Sequence, residues 1–349
     1  MTLKILRHEA IGETRAVALD ADGQPVALYY DRIVERGRSA YWGQVLAGRT
    51  TKAAPESGGV FVTLETGEEA LLPGKDVTGV REGEACLYKI TSEARAGKLA
   101  KITPAKASDP KGDKWDIWCR DFGLDPLADV ISSSQSATDI DVIFQAALEE
   151  TAPIPGGGYL RLSPTPALLA VDVDTAGRVD KGRASYRAKC VNIAAAKALA
   201  RELCVRSEGG ALVLDCVGPL SRHDGPGVKS AFIDTFRALS NRRLEALNPS
   251  PFGLMQAVIE RRRRPLREAY YATPQGQPLP IAQLLQGLRA LERAALADTS
   301  AHLRLILPEP ALRLYRQDKQ VYDSAIQKRF GARYQVGLSE TDQVEAYRL

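Results

Sequence analysis

Residues 168–177, LLAVDVDTAG, and residues 209–216, GGALVLDC, decide the fold of this chain. Each is an apolar run of strand length that stops at a carboxylate, Asp172 and Asp174 in the first and Asp215 in the second. The stretch between them has apolar residues at spacings of three and four, which predicts a helix. A strand, a helix and a second strand predict parallel neighbours, so the acidic ends should converge at one edge of a sheet.

Converging carboxylates suit a hard cation such as Mg²⁺, which prefers oxygen ligands. Such a site would predict metal-assisted chemistry on a phosphate. An aspartate at a strand end is also an ordinary turn former or the N-cap of the next helix. Composition and spacing leave both interpretations open.

The whole-chain numbers describe an ordinary globular protein. At 349 residues it is too long for one compact core, so two or three domains are expected. The net charge of +4 permits an acidic partner without requiring one. Five cysteines without a CxxC pair argue against a disulfide framework or a thiolate zinc site, and they fit a cytoplasmic protein. We see no signal peptide and no run long enough to span a bilayer.

The first hundred residues are rich in strands. TRAVALDADGQPVALYYDR, residues 14–32, alternates around a DADG turn and predicts a hairpin. Residues 39–103 contain five short strand candidates separated by glycine and charged turns, which is typical of a small Greek-key barrel of the OB type. KASDPKGDKWDIW, residues 106–118, has the composition of a boundary or linker.

The remainder alternates helices and strands, so the fold class is α/β, in an α+β multidomain arrangement. Residues 115–150 have a helical pattern, and residues 183–205 predict the helix between the two acidic strands. A second amphipathic helix is predicted over residues 228–247. Helix, strand, one long helix over 311–331 and two terminal strands then predict a small C-terminal domain.

Three segments carry a resemblance to a known family. They are VDVDTAG at 171–177, VNIAAAKALARELCVRSEGGALVLDC at 191–216, and SPFGLMQAVIERRRRPL at 250–266. They resemble the catalytic half of the ribonuclease E/G family, which has a D-[VI]-N-S-A motif, a helix, GGLIVIDF and S-R-F-G-L. The separation of Asp172 from Asp215 matches the family without an insertion.

The resemblance implies a ribonuclease H-like segment interrupted by an OB-fold insert and followed by a DNase I-like nuclease domain. The implied boundaries are 1–38 for the first ribonuclease H-like part, 39–104 for the OB insert, 105–165 for a reduced sensor region and the return of the ribonuclease H-like part, 166–270 for the DNase I-like catalytic domain, and 271–349 for the small C-terminal domain.

The resemblance also implies endoribonuclease activity on single-stranded RNA. In the family, the residues at positions 172 and 215 hold Mg²⁺ beside the scissile phosphate, so Asp172 and Asp215 are the expected ligands and Asp174 a further catalytic residue. Position 174 is Asn in the family and Asp here. Asp174 is then a third ligand, a hydrogen-bonding support, or a charge that repels the phosphate.

Predicted RNA contacts come from three regions. Phe61 and Lys98 match family residues of the OB insert, whereas a second family aromatic is Leu71 here. Because a stacked base is worth about 1–3 kcal/mol, this loss predicts a weaker grip. Phe61 as a barrel core residue and Lys98 as a solvated charge are the alternatives. Cations close to the acids or concentrated in one run are further candidates: Arg178, Lys181, Arg261, Arg262, Arg263 and Arg264. A solvated surface is the alternative for the arginine run.

The chain departs from the family in other places. About 35 residues stand where long members carry a 5′-monophosphate sensor, so cleavage is expected to be independent of the 5′ end. The segment ATPQGQP, residues 272–278, has no cysteine where the family has a zinc link, so no zinc-linked tetramer is expected and a homodimer stays open. Pro251 stands where the family's S-R-F-G-L segment has its arginine.

We expect single-stranded RNA as partner and neither DNA nor membrane. Two functions remain: a nuclease, or an RNA-binding protein on the same fold that does not cleave.

Overall fold

The computed structural model describes residues 3–54, 58–77, 81–109, 112–125, 130–131, 134–178, 182–273, 276–341 and 343–349. The strands in these ranges are β1 (Lys4–Ala10), β2 (Glu13–Leu19), β3 (Pro25–Arg32), β4 (Val45–Ala54), β5 (Gly59–Leu64), β6 (Glu69–Pro73), β7 (Ala85–Ser92), β8 (Ala100–Pro104), β9 (Val130–Ile131), β10 (Thr151–Pro153), β11 (Tyr159–Pro164), β12 (Leu169–Asp174), β13 (Gly210–Asp215), β14 (Leu244–Ala246), β15 (Leu254–Ile259), β16 (Leu303–Leu307), β17 (Tyr334–Leu338) and β18 (Glu345–Arg348). The helices are α1 (Lys114–Asp121), α2 (Ser134–Leu148), α3 (Ala184–Val205), α4 (Gly225–Leu239), α5 (Leu266–Tyr270), α6 (Pro280–Ala297), α7 (Glu309–Gln317) and α8 (Lys319–Phe330).

The first sheet has the strand order β3-β2-β1-β9. β1, β2 and β3 are antiparallel, and β9 returns after the barrel to pair parallel with β1. The β2–β3 turn forms because Asp20 Oδ1 accepts hydrogen bonds from the N–H groups of Asp22 and Gln24, at 3.0 and 2.9 Å. This confirms the hairpin predicted around DADG.

The five strands β4 to β8 form a closed barrel in the order β4-β5-β6-β8-β7. Alternate side chains of these strands point inward and make its core, which is a cluster of Leu46, Val62, Leu64, Ala70, Leu72, Tyr88, Ile90, Ala100 and Ile102. The predicted mixed α/β fold with an OB-like five-stranded barrel is therefore confirmed.

A six-stranded sheet, in the order β10-β11-β12-β13-β15-β14, carries the two acidic strands. β12 and β13 are parallel neighbours, and the other pairs are antiparallel. Val171, Val173, Leu212 and Leu214 alternate with more exposed residues, because α3 and α4 cover one face. The residues between them point to the opposite, open face.

Helix α3 lies between the two sheets. Leu199 is completely buried, and Arg201 reaches β3 with a 3.2 Å hydrogen bond to the Pro25 carbonyl. The same guanidinium forms a 2.8 Å ion pair with Asp20 in the first hairpin. The helix that connects the acidic strands thus also joins the six-stranded sheet to the first sheet.

The C-terminal region is a three-stranded sheet, β17-β16-β18, packed with α6, α7 and α8. Its core also takes in Ile11, and Arg289 of α6 hydrogen-bonds Glu13 of β2, so this region rests on the first sheet. Among the described residues, no helix has the length and apolar character needed to cross a membrane.

Two helix predictions need correction. The long helix predicted over 311–331 is divided at Asp318, where the backbone leaves helical geometry, into α7 and α8. The helix predicted over 228–247 ends at Leu239, and the Leu244–Ala246 stretch instead pairs with β15 as an edge strand.

Candidate functional site

Asp172 and Asp215 lie near the carboxyl ends of the neighbouring parallel strands β12 and β13, on the open face. Val171 lies beside Leu214 in the register, and each aspartate is the next residue. Because neighbouring strands are about 5 Å apart, the two carboxylates are side by side. Both are exposed, and within the described part of the chain neither has a hydrogen-bond or ion-pair partner. Two unpaired negative charges this close repel each other, which favours binding of a cation between them.

The segment that follows Asp215 is held in place by Asn192 of α3. This side chain is completely buried. Its Nδ2 donates to the Val217 carbonyl and its Oδ1 accepts from the Val217 N–H, both at 2.9 Å. The Cys216 N–H donates to the Gly253 carbonyl at 3.0 Å. These bonds fix the backbone on both sides of the strand end, and hence the position of Asp215.

Asp174 differs from the other two acids because its oxygens are already engaged. Oδ1 accepts from the Ala176 N–H at 2.9 Å, and Oδ2 is 3.5 Å from the Arg161 guanidinium. Arg161 lies on β11 directly opposite Asp172. Asp174 is therefore a turn former paired with a cation, and this arrangement favours a supporting role over a role as third ligand.

A triple-glycine turn, residues 156–158, closes the β10–β11 hairpin beside Asp174. Gly158 has φ +87°, and a Cβ there would lie 2.5 Å from the Asp174 carbonyl oxygen. Arg178 donates to the carbonyls of Pro155 and Gly157, both at 3.1 Å. Arg178, predicted as an RNA contact, thus binds the hairpin turn, and Lys181 lies outside the described residues.

Cys216, next to Asp215, is a buried thiol. Burial, with the adjacent negative charge of Asp215, raises its pKa to about 11. The thiol is therefore protonated at neutral pH and is neither a nucleophile nor a ready metal ligand. The chemistry of this edge is left to the carboxylates.

The donor set fits a Mg²⁺ ion. In the described ranges, no group of three or more His, Cys, Asp or Glu side chains is arranged to hold a metal. Mg²⁺ does not need one, since it keeps several waters and commonly binds through one or two carboxylates plus a substrate phosphate. Asp172 and Asp215 could supply that pair, and none of the described residues engages their oxygens.

The arginine run, residues 261–264, lies far from this edge. It occupies the irregular segment between β15 and α5, and it is not on a helix. Arg261 donates to the Gly209 carbonyl at 2.9 Å, at the opposite end of β13 from Asp215. The five residue steps of β13 put these two ends about 17 Å apart.

Protein partners surround the guanidinium groups of this run. Arg262 and Arg263 form ion pairs with Asp121 at 3.0 and 2.6 Å, and both lie over the Trp42 ring. Arg264 donates to the Ala94 carbonyl at 3.1 Å. The run joins the barrel and α1 to the six-stranded sheet, so its geometry is that of a structural joint.

The two predicted RNA contacts of the barrel, Phe61 and Lys98, lie in different parts of it. Phe61 alternates with the buried Val62, so it faces outward, and it pairs across the sheet with Leu71. Lys98 is exposed in the β7–β8 turn. That turn is fixed to α5, because the Ala96 N–H donates to Glu268 at 2.8 Å. Lys98 therefore lies near the arginine joint and not at the acidic edge.

Among the described residues, two cations at the acidic edge were not predicted from the sequence. Arg161 is one, and finding it needs the β11–β12 register, which the sequence alone does not provide. Arg187 is the other: it is exposed and lines a cleft of about 340 Å³ with Thr175, Val217 and Gly218. The sequence signal for Arg187 was its position one turn into α3, the helix that follows the strand with Asp172 and Asp174.

Comparisons with known proteins agree with this geometry. The Ribonuclease E/G family model matches residues 130–264, which contain all three aspartates. Ribonuclease E of Escherichia coli strain K12 is 24% identical over 196 residues, which cover 54% of this chain and 18% of that protein. Ribonuclease E of Haemophilus influenzae is 26% identical over 196 residues, with coverage of 54% and 21%. Ribonuclease G of Salmonella typhimurium is 30% identical over 127 residues, with coverage of 36% and 25%.

The chain thus spans about a fifth of the length of the Ribonuclease E relatives that it matches. The shared part contains the two acidic strands and the helix between them, where the resemblance noted in the sequence is most specific. Through this region, residues 130–264, the chain is similar to the ribonuclease E/G family.

Proposed function

We propose that this protein is a Mg²⁺-dependent endoribonuclease that hydrolyses phosphodiester bonds of single-stranded RNA. The observation that carries the proposal is the pair of exposed carboxylates, Asp172 and Asp215, side by side near the ends of parallel strands and without a partner among the described residues. A structural turn former would have its oxygens engaged, as Asp174 does. The names of the relatives, Ribonuclease E and Ribonuclease G, support the same activity.

Asp172 and Asp215 would hold the ion on the open face. When bound there, Mg²⁺ would polarise a phosphoryl oxygen and acidify a bound water. The protein contributes orientation: Asn192 fixes the backbone beyond Asp215, and the strand pairing fixes Asp172. The buried, protonated Cys216 leaves the metal site free of a competing thiolate.

Asp174 and Arg161 act together in this proposal. An aspartate at position 174 adds a negative charge beside the phosphate, and the Arg161 guanidinium compensates for it at 3.5 Å. The pair is exposed, so its contribution to stability is small. The pair acts electrostatically, because Arg161 offsets the repulsion between the Asp174 carboxylate and the RNA phosphate that would otherwise weaken RNA binding.

At the scale of domains, we propose a ribonuclease H-like first sheet, an OB-type RNA-binding barrel and a DNase I-like six-stranded sheet. Phe61, which faces outward on the barrel, is the proposed stacking residue, and Lys98 a proposed phosphate contact. Cleavage independent of the 5′ end and a cytoplasmic location complete the proposal. Zinc-linked assembly is not part of it.

A second function is RNA binding without cleavage. Arg161 favours it, because a guanidinium on the strand next to Asp172 competes with a metal ion for the same negative charge. The two functions differ in one measurable property, which is metal-dependent cleavage.

The test is cleavage of a labelled, AU-rich single-stranded RNA in Mg²⁺ and in EDTA. We expect wild-type cleavage in Mg²⁺ only. Asp172→Asn and Asp215→Asn should each lower the rate by at least about 100-fold, since each removes a metal ligand that stabilises the transition state by several kcal/mol.

Asp234→Asn is the matched control, because Asp234 is an exposed acid on α4. It should cleave like the wild type. If the wild type binds RNA but cuts no faster than the two ligand variants, the binding function is correct and the nuclease proposal is wrong.

A further inference from the structure

The acidic edge carries exposed aromatic side chains that the proposed metal chemistry does not use. Among the described residues, four aromatic side chains are exposed: Tyr159, Tyr186, Phe252 and Tyr347. The first three lie at the edge of the sheet where β12 and β13 end. Exposed aromatic rings are costly in water, so their concentration at one edge indicates a binding surface.

Phe252 is the most exposed of these, at 88%. It is presented by a rigid turn, in which the Ser250 carbonyl accepts from the Gly253 N–H at 2.9 Å and the Ser250 N–H donates to the Leu254 carbonyl at 3.0 Å. Leu254 is the register partner of Asp215. The ring therefore extends into solvent next to the acid on β13.

Tyr159 occupies the corresponding position on the other side. It begins β11, is 49% exposed and is the register partner of Asp174. It points to the open face, because the next residue, Leu160, is completely buried on the opposite face. Within the described ranges, neither the Tyr159 nor the Phe252 ring contacts another ring or a cation.

The two aromatics bracket the carboxylates. Across the sheet the order is β11 with Tyr159, β12 with Asp172, β13 with Asp215, and β15 with its preceding Phe252 turn. Three strand spacings separate the outer two strands by about 14 Å. Exposed rings on both sides of a phosphate-binding centre suit a single strand, whose unpaired bases offer flat faces for stacking.

We propose that Tyr159 and Phe252 are base-stacking platforms for the nucleotides on either side of the phosphate bound at Asp172 and Asp215. This rests on the proposed function, and it names the local feature of RNA that the site recognises, which is an unstacked single-stranded segment. A duplex keeps its bases paired and stacked, so it does not engage the two rings.

The test measures binding apart from cleavage. The affinity of a fluorescent single-stranded oligoribonucleotide is measured by anisotropy in the Asp215→Asn background. Tyr159→Leu and Phe252→Leu should each weaken binding by about 5- to 100-fold, the range that stacking on one ring gives. Tyr159→Phe and Phe252→Tyr should retain it. Tyr347→Leu, which removes an exposed ring on β18, should bind like the parent.

Three results would overturn the inference. The first is that Tyr159→Leu and Phe252→Leu both bind the oligoribonucleotide with an affinity within twofold of that of the Tyr347→Leu control. The second is an equal loss of affinity for a blunt duplex of the same sequence. The third is a change in sedimentation of Phe252→Leu, which would assign the ring to contact between two copies of the chain. Failure of metal-dependent cleavage in the wild type refutes the nuclease proposal and leaves the stacking result intact.

Discussion

At the scale of single residues, the site is defined by which side chains have partners. Asp172, Asp174 and Asp215 look alike in the sequence, and strand alternation correctly predicts that the first two share a face. Their difference comes from Arg161, which engages Asp174 from a strand that the sequence alone does not align. The positions of the acids were predictable, whereas the division of roles among them needed the register.

Asn192 is the residue on which the position of Asp215 depends most. Asn192→Ala removes two hydrogen bonds to Val217 and leaves a void in a fully buried position. We expect the free energy of unfolding to fall by about 2–4 kcal/mol, from lost hydrogen bonds and unsatisfied backbone groups. Urea denaturation followed by circular dichroism measures it.

The matched control for this prediction is Asn248→Ala, an exposed asparagine in the loop before β15. Its stability should stay within about 0.5 kcal/mol of the wild type, as for surface substitutions in general. Equal urea midpoints for Asn192→Ala and Asn248→Ala would contradict the role given to Asn192.

At the scale of elements, local sequence patterns predicted where a helix or strand forms better than they predicted which of its side chains are buried and what those side chains contact. The helix between the acidic strands was expected at 183–205 and is Ala184–Val205. Its first turn carries the exposed Tyr186, and its buried residues include Val191, Asn192, Ala195 and Leu199. Alanines fit several stripes at spacings of three and four, so the pattern did not select one. The structural partner of the arginine run, Asp121, could likewise not be predicted, because it is remote in sequence.

The loop between α3 and β13 contains a titrating group. Burial raises the pKa of Glu208 to about 7, with a further contribution from the charge of Glu268. A carboxyl whose pKa is raised in the folded state favours folding while protonated, and that contribution is lost as pH rises through about 7. Glu208→Gln should equal the wild type in stability near pH 4.5 and exceed it by about 1–2 kcal/mol at pH 8.

Chemical denaturation at a series of pH values measures this difference. Glu245→Gln, at an exposed glutamate on β14, is the control and should follow the wild-type curve at every pH. If the stability difference between Glu208→Gln and the wild type does not change with pH, Glu208 does not carry the titration.

At the scale of the whole molecule, the sequence predicted the barrel, the parallel acidic strands and the small C-terminal region. It did not predict how they meet. The joints are ion pairs and hydrogen bonds between distant segments, such as Arg201 with Asp20, Arg289 with Glu13, and Arg264 with Ala94. Such pairs leave no periodic signal in one sequence, so the barrel's attachment at the edge opposite the acids could not be inferred.

The central claim is that Asp172 and Asp215 together hold one divalent ion. The most direct measurement is an anomalous difference map from crystals soaked in Mn²⁺, which shares the preference of Mg²⁺ for oxygen ligands. We predict one peak about 2.1 Å from an oxygen of each carboxylate, and its loss in Asp215→Asn. Saturating Mn²⁺ that gives no peak between these two side chains, or a peak unaffected by the substitution, would contradict the claim.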